Sequence, residues 1–113
     1  MTSQPAHPPH AGTALVTGAA DRIGASIARR LAASGWAVVV HYRSSREKAA
    51  AVVAEIAAAG GRAAAVGADL ADRSARAGLV AAAAKPFGPL TLLVNNASSF
   101  ERDAIFDLAE DLW

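Results

Sequence analysis

Four polar clusters hold the residues that could do chemistry, and the first is Thr17-Gly18-Ala19-Ala20-Asp21-Arg22-Ile23-Gly24. Ahead of it Thr13-Ala14-Leu15-Val16, short, apolar and partly β-branched, predicts a buried strand. Behind it Ile23, Ile27, Arg30 and Leu31 recur at helical spacing among alanines and predict a helix. A strand, a glycine turn and a helix opening from that turn make an anion site. Gly18 admits a tight turn, and Gly24 lets the helix approach strand or ligand closely. The helix start offers unpaired N–H groups and the positive end of its dipole to a pyrophosphate. Alone, two glycines at this spacing also fit a purely structural strand-to-helix turn.

The elements that position the other clusters follow in the same alternation. Ser34-Gly35 closes the first helix, with Gly35 past its end, and Trp36–Tyr42 is a second strand, apolar on both faces as in a covered parallel sheet. It delivers the second cluster, His41-Tyr42-Arg43-Ser44-Ser45. Ser44 or Ser45 caps a helix over Glu47–Ala59, whose stripe is Val52, Val53 and Ile56 and whose stop is Gly60-Gly61. A short strand, Arg62–Val66, delivers Asp69-Leu70, and a helix over Arg73–Ala84 stops before Pro86. Leu90–Val94 is a fourth strand running into Asn95–Phe100, and residues Asp107–Trp113 begin a further helix. The expected fold class is α/β, a Rossmann-type doubly wound parallel sheet of order 3-2-1-4, of which this is the N-terminal portion. Ligands on such sheets bind beyond the carboxyl ends of the strands, where all four clusters fall. Their convergence predicts dinucleotide binding.

Composition excludes other classes. The 113 residues suit one domain: a flexible Pro/His tail over 1–11 and a dinucleotide-binding part over 12–113. Eleven basic and ten acidic residues leave a net charge of +1, too little to favour nucleic acid or an anionic membrane. With no cysteine there are no disulfides, thiolate metal sites or cysteine nucleophile, which fits a cytoplasmic protein. The opening residues lack the basic and apolar regions of a secretory signal, and no apolar run reaches membrane-spanning length. His7 and His10 have no acidic or further histidine partner nearby, so no metal site is expected.

The second cluster bears on which cofactor is bound. An NAD site places Asp or Glu about 20 residues beyond the glycines to hold the ribose 2′-hydroxyl. Here no acid occurs before Glu47, while the Arg43 guanidinium and the Ser44 hydroxyl suit a 2′-phosphate. The expected cofactor is NADP(H); Arg43 taken alone also reads as a solvated loop cation.

The Thr-Gly-rich turn, the Asp-Leu after strand 3 and the Asn-Asn-Ala after strand 4 resemble the short-chain dehydrogenase/reductase family from about Thr13 onward. Arg22 stands where that family usually has a middle glycine. With His41-Tyr42 and Asn96-Ala97-Ser98-Ser99-Phe100, this is similar to the pteridine reductase branch, although that branch's extra residue between the tyrosine and the arginine is absent. The resemblance implies that Gly18, Arg22, Ile23 and Gly24 lie along the pyrophosphate, with Arg22 also facing the substrate. It implies that Tyr42, Arg43 and Ser44 belong to the cofactor site, the last two at the 2′-phosphate. Asp69 would accept from the adenine amino group, Leu70 would line that pocket, and Asn95 and Ala97 would touch the ribose through backbone atoms. Asn96 would tie the fourth strand to its neighbours. Ser98 and Phe100 would meet a small-molecule substrate, Phe100 by stacking on a flat heterocycle, although a core position under the next helix fits it as well.

The family's catalytic tyrosine and lysine have no counterpart here. Tyr42 is the single tyrosine and lies at the nucleotide end, while Lys48 and Lys85 fall on or after outer helices. No catalytic residue is therefore assigned, and this chain alone is expected to be inactive. The expectation is the N-terminal part of an NADPH-dependent reductase about twice this length, homo-oligomeric, acting on a pterin-like or small carbonyl substrate. A non-catalytic NADP(H)-binding or interaction module is the alternative; a Tyr-x-x-x-Lys beyond Trp113 would separate the two.

Overall fold

A computed structural model describes residues 11–96. Within them the chain runs β1 (Thr13–Val16), α1 (Arg22–Ala33), β2 (Ala37–Tyr42), α2 (Arg46–Ala58), β3 (Arg62–Gly67), α3 (Arg73–Ala83) and β4 (Leu92–Val94). The four strands form one parallel sheet in the order β3-β2-β1-β4, as the alternation of elements predicts. The order reverses between β1 and β4, and the ends of those two strands open the crevice that such a reversal leaves.

Alternation along each strand splits the core into two layers. Val16, Val38 and Val40 point to one face, where Ala25, Ala28 and Ala32 of α1 meet Ala49, Val52 and Ile56 of α2. Leu15 and Val39 point to the other, against Leu79 and Ala83 of α3 and Leu70 of the loop before it. The central strands are apolar on both faces because both are covered. The small residues of α1 let it lie close on the sheet, so the start of the helix is fixed relative to the end of β1.

Several boundaries differ from those predicted. Trp36 is not part of β2: its N–H bonds to Leu31 O at 3.1 Å, and Gly35 N–H to Ala32 O at 3.1 Å, the paired bonds of a Schellman closure of α1. β4 begins at Leu92 because Leu92 pairs with Ala14, which puts Leu90 opposite Gly12, ahead of β1. β3 runs on to Gly67, opposite Tyr42. At the start of α2, Ser45 takes the N-cap position but its side chain makes no capping bond. Asp72 does cap α3, accepting from the N–H groups of Ser74 and Ala75 at 2.8 and 3.2 Å. The tail over residues 1–10, with His7 and His10, and the helix expected over Asp107–Trp113 lie outside the described residues.

Candidate functional site

At the carboxyl end of the sheet the four strand ends are bonded into one frame. Gly18 has φ of 61°, which an L side chain adopts only at a cost. Thr17 is fully buried; its N–H bonds to Val94 O at 3.0 Å, and its hydroxyl oxygen accepts from Asn96 N–H at 3.0 Å. The Asn96 amide donates to Gly18 O at 3.1 Å, the tie between β4 and the turn expected of this residue. Gly24 sits against the same carbonyl. A methyl there would collide with Gly18 O and crowd the Asn96 amide, so the close approach needs glycine.

His41 joins the turn to the third strand. Its ring is buried, Nδ1 accepting from Gly18 N–H at 3.0 Å and Nε2 lying 2.8 Å from Ala68 O. One partner is an N–H and the other a carbonyl, so the neutral ring with its proton on Nε2 satisfies both. Burial lowers its pKa below the ordinary 6.5, opposed in part by the bond to Ala68. Ala19 N–H is taken as well, by His41 O at 2.9 Å. Gly18 therefore shapes the turn without offering its amide to a ligand. Donors for an anion remain at the start of α1, where Arg22, Ile23 and Gly24 precede the first helical bond, from Ala25 N–H to Asp21 O.

Those residues open a cleft of about 470 Å³. Of the positions singled out in the sequence, Gly18, Arg22, Ile23, Arg43, Asp69 and Leu70 line it, joined by His41, Asp21 and Asn96. Arg22 has φ of 49°, the left-handed conformation that a glycine at this point of the turn would adopt without strain. Ile23, 69% exposed, is the large apolar side chain left uncovered among the described residues. An apolar residue kept on a cleft wall is suited to contact with a ligand. Arg43 Nε lies 3.7 Å from Asp69 Oδ1 across the rim, with side chains 65% and 49% exposed, so the pair is easily opened. Asp69 Oδ1 also accepts from Ala71 N–H at 3.0 Å.

Other assigned positions do not line the cleft. The Tyr42 ring lies over Gly67, where an added methyl would crowd it, and packs on the α1/α2 side. Ser44 is exposed without lining the cleft. The Asn95 side chain meets the Thr17 hydroxyl at 3.2 Å, and Asn96 is the asparagine that reaches the cleft. Ala97, Ser98 and Phe100 lie outside the described residues. Lys48, read in sequence as an outer-helix residue, brings its Nζ to 3.4 Å from Asp21 Oδ2 at the cleft wall. Its position on the first turn of α2 is legible in the sequence; the approach of that turn to α1 is not.

The residues present fit NADP(H). Free helix N–H groups and Arg22 suit a pyrophosphate, and Arg43 after β2 suits a 2′-phosphate. Asp69 and Leu70 can serve an adenine edge and face. Each carboxylate on the cleft wall already has a cation beside it, Lys48 for Asp21 and Arg43 for Asp69.

A doubly wound parallel sheet with this turn at its switch point is a dinucleotide-binding α/β domain. Residues 12–113 match the family model described as short chain dehydrogenase, and the chain belongs to that family. An uncharacterized oxidoreductase of Methylorubrum extorquens is 51% identical over 98 residues, 87% of this chain and 40% of the relative. The 3-oxoacyl-(acyl-carrier-protein) reductase FabG of Staphylococcus aureus is 42% identical over 101 residues, 89% of this chain and 41% of FabG. Among solved structures, FolM alternative dihydrofolate reductase 1 of Brucella canis, complexed with NADP, superposes with a TM-score of 0.83 at 35% identity. That match covers 92% of this chain and 48% of FolM. The chain thus spans about 40% of the length of the curated relatives it matches. Its relatives are oxidoreductases, and the cofactor expected from the sequence is the one held in the FolM structure.

Proposed function

We propose that the protein carrying this chain is an NADPH-dependent reductase of a pterin-like or small carbonyl substrate. The observation that carries the cofactor assignment is Arg43, exposed at the end of β2 beside Ser44, with no carboxylate on that strand to claim the ribose. The cofactor, when bound, supplies the hydride. The chain's own residues bind and orient it: the start of α1 and Arg22 at the pyrophosphate, Arg43 and Ser44 at the 2′-phosphate, Asp69 and Leu70 at the adenine. Tyr42 packs over Gly67 outside the cleft wall, so the proton that accompanies the hydride is assigned to residues other than these. Arg22 favours the pterin-like class, because a cation on the substrate side suits a polar heterocycle. FabG supports a 3-oxoacyl thioester as the carbonyl alternative. A small soluble substrate, a cytoplasmic site and a homo-oligomeric assembly complete the reading; no helix of the described residues is long and apolar enough to cross a membrane.

The test is titration of the full-length protein with NADPH and NADH, followed by turnover with a pterin and with a 3-oxoacyl thioester. NADPH should bind more tightly, and Arg43→Ala should weaken it about tenfold while leaving NADH nearly unchanged. That is the lower end of a charge-assisted contact, as suits so exposed a side chain. Equal affinities in the unmutated protein refute the assignment, and tight binding without turnover of either substrate supports a non-catalytic module.

A further inference from the structure

The glycine turn does not hold itself. Gly18 N–H and Ala19 N–H, which in an open turn would point at a ligand or water, are both bonded to one residue, His41, through its ring and its carbonyl. The same ring is fixed at its far side by Ala68 O, in the loop that leads to Asp69 and Leu70. One side chain therefore bridges the pyrophosphate end of the cleft and its adenine end. The bond from Gly18 N–H exists only while Nδ1 has a lone pair. A proton there would face the Gly18 N–H with a second N–H, removing the bond and leaving two donors opposed in a buried place.

We propose that His41 is a positioning residue of the cofactor site, whose neutral ring pins the Gly18 turn to the Ala68 loop and whose protonation releases the turn and weakens cofactor binding. The proposal rests on the dinucleotide reading above, and it assigns His41 no contact with the cofactor. Charged groups from several elements line the cleft around it. From α1 come Asp21 and Arg22, from the end of β2 Arg43, from α2 Lys48 by way of Asp21, and from the loop after β3 Asp69. From α3, Arg76 donates to Leu70 O at 2.8 Å. The segments after β1 and β4 contribute Thr17 and Asn96, neither of which titrates. Both carboxylates of this set have a cation beside them, and neither is bonded to the ring. Burial favours the neutral ring, holding its pKa below 6.5 against the opposing bond to Ala68.

The experiment measures NADPH and NADH affinity of the full-length protein from pH 7.5 to pH 5, with the His41 ring nitrogens followed by NMR. NADH is the informative ligand. The 2′-phosphate of NADPH itself takes up a proton near pH 6, by analogy with other phosphate monoesters, whereas NADH carries only the pyrophosphate. Two variants accompany it. His41→Asn keeps an acceptor near the Nδ1 position and does not titrate; His41→Gln keeps a donor near Nε2 and loses the acceptor for Gly18. The expected result is an NADH affinity that falls about two- to tenfold, the worth of one hydrogen bond, in step with ring protonation. His41→Asn should be near wild type at pH 7.5 and flat below it, and His41→Gln weak throughout. An NADH affinity in the unmutated protein that stays level while the ring titrates overturns the proposal, and needs no variant to fold. So does an equal acid slope in His41→Asn. Failure of the unmutated protein to bind either nucleotide at pH 7.5 refutes the cofactor reading itself, and the proposal with it.

Discussion

Arg22 is held in a backbone conformation that its side chain makes costly, and replacing it separates what the backbone loses from what the charge contributes. With φ of 49° it stands at the left-handed position of the turn. For an L residue that conformation costs about 1–2 kcal/mol. Glycine would remove the cost but would bring about 0.5–1 kcal/mol of extra freedom in the unfolded chain. The Arg22 side chain is exposed and has no ion-pair partner among the described residues, so little else is lost. Arg22→Gly should therefore stabilise the fold by up to about 1.5 kcal/mol, a rise in Tm of up to about 6 °C for a domain of 150–250 residues. The same substitution removes a cation from the cleft wall. Discounted for solvent exposure, that contact is worth about 1–2 kcal/mol, so NADPH affinity should fall about five- to thirtyfold.

Arg22→Ala is the necessary companion. It removes the charge and keeps the Cβ, so it should lose cofactor affinity as glycine does without gaining stability. Thermal unfolding and NADPH titration of the full-length protein with both variants decide the matter. If the glycine variant is no more stable than the alanine variant, the strain argument is wrong. If both keep wild-type affinity, Arg22 does not serve the pyrophosphate.

Gly24→Ala should be damaging in both respects, because the new methyl meets the Gly18 backbone carbonyl and cannot be relieved by a rotamer change. A loss of about 1–3 kcal/mol in urea unfolding, with weakened NADPH binding, is expected; full stability in this variant would show that α1 does not sit where it is described. The fold itself should weaken in acid through His41. Its pKa is lowered on folding, so the unfolded chain takes up the proton first as the pH falls. The stability that the neutral ring provides is complete above pH 6.5, is lost as the pH drops from 6.5 toward the lowered value, and changes no further below it. Urea midpoints at pH 7.5 and 5 should therefore differ more in the unmutated protein than in His41→Asn; equal differences would refute this.

The sheet order and the double covering of the central strands are legible in the alternation of elements and the apolar runs. Runs such as Ala37-Val38-Val39-Val40 have no polar face, and strands of that kind must lie inside a sheet covered twice. Arg43 and Asp69 were legible as cleft residues because position after a strand is enough to place them at the carboxyl edge. What sequence position could not supply was direction. Tyr42 and Arg43 are adjacent, yet the first packs over Gly67 and the second reaches the cleft, since successive residues leave a strand on opposite sides. Asn95 and Asn96 divide in the same way, the first to Thr17 and the second to Gly18 and the cleft.

The residues that sequence position could not explain share a physical cause, which is that their partners lie on other elements, distant in sequence. His41 reads as one more polar residue at a strand end until Gly18, Ala19 and Ala68 are brought around it. Lys48 reads as solvated until α2 lies beside the start of α1 and its Nζ meets Asp21. Both act on the turn from outside the motif that names it. The glycines of that motif permit a shape, but permission is not enforcement: Gly18 is free to leave the left-handed region as well as to enter it. What holds it there is the set of bonds from Asn96 to its carbonyl and from its amide to His41. A turn fixed at both its N–H and its C=O is positioned before a ligand arrives, so binding energy is not spent in ordering it. The same fixation explains how Arg22 can occupy a position that favours glycine. Its neighbours impose the backbone angle, and the side chain is placed over the cleft at a cost in strain the frame can sustain.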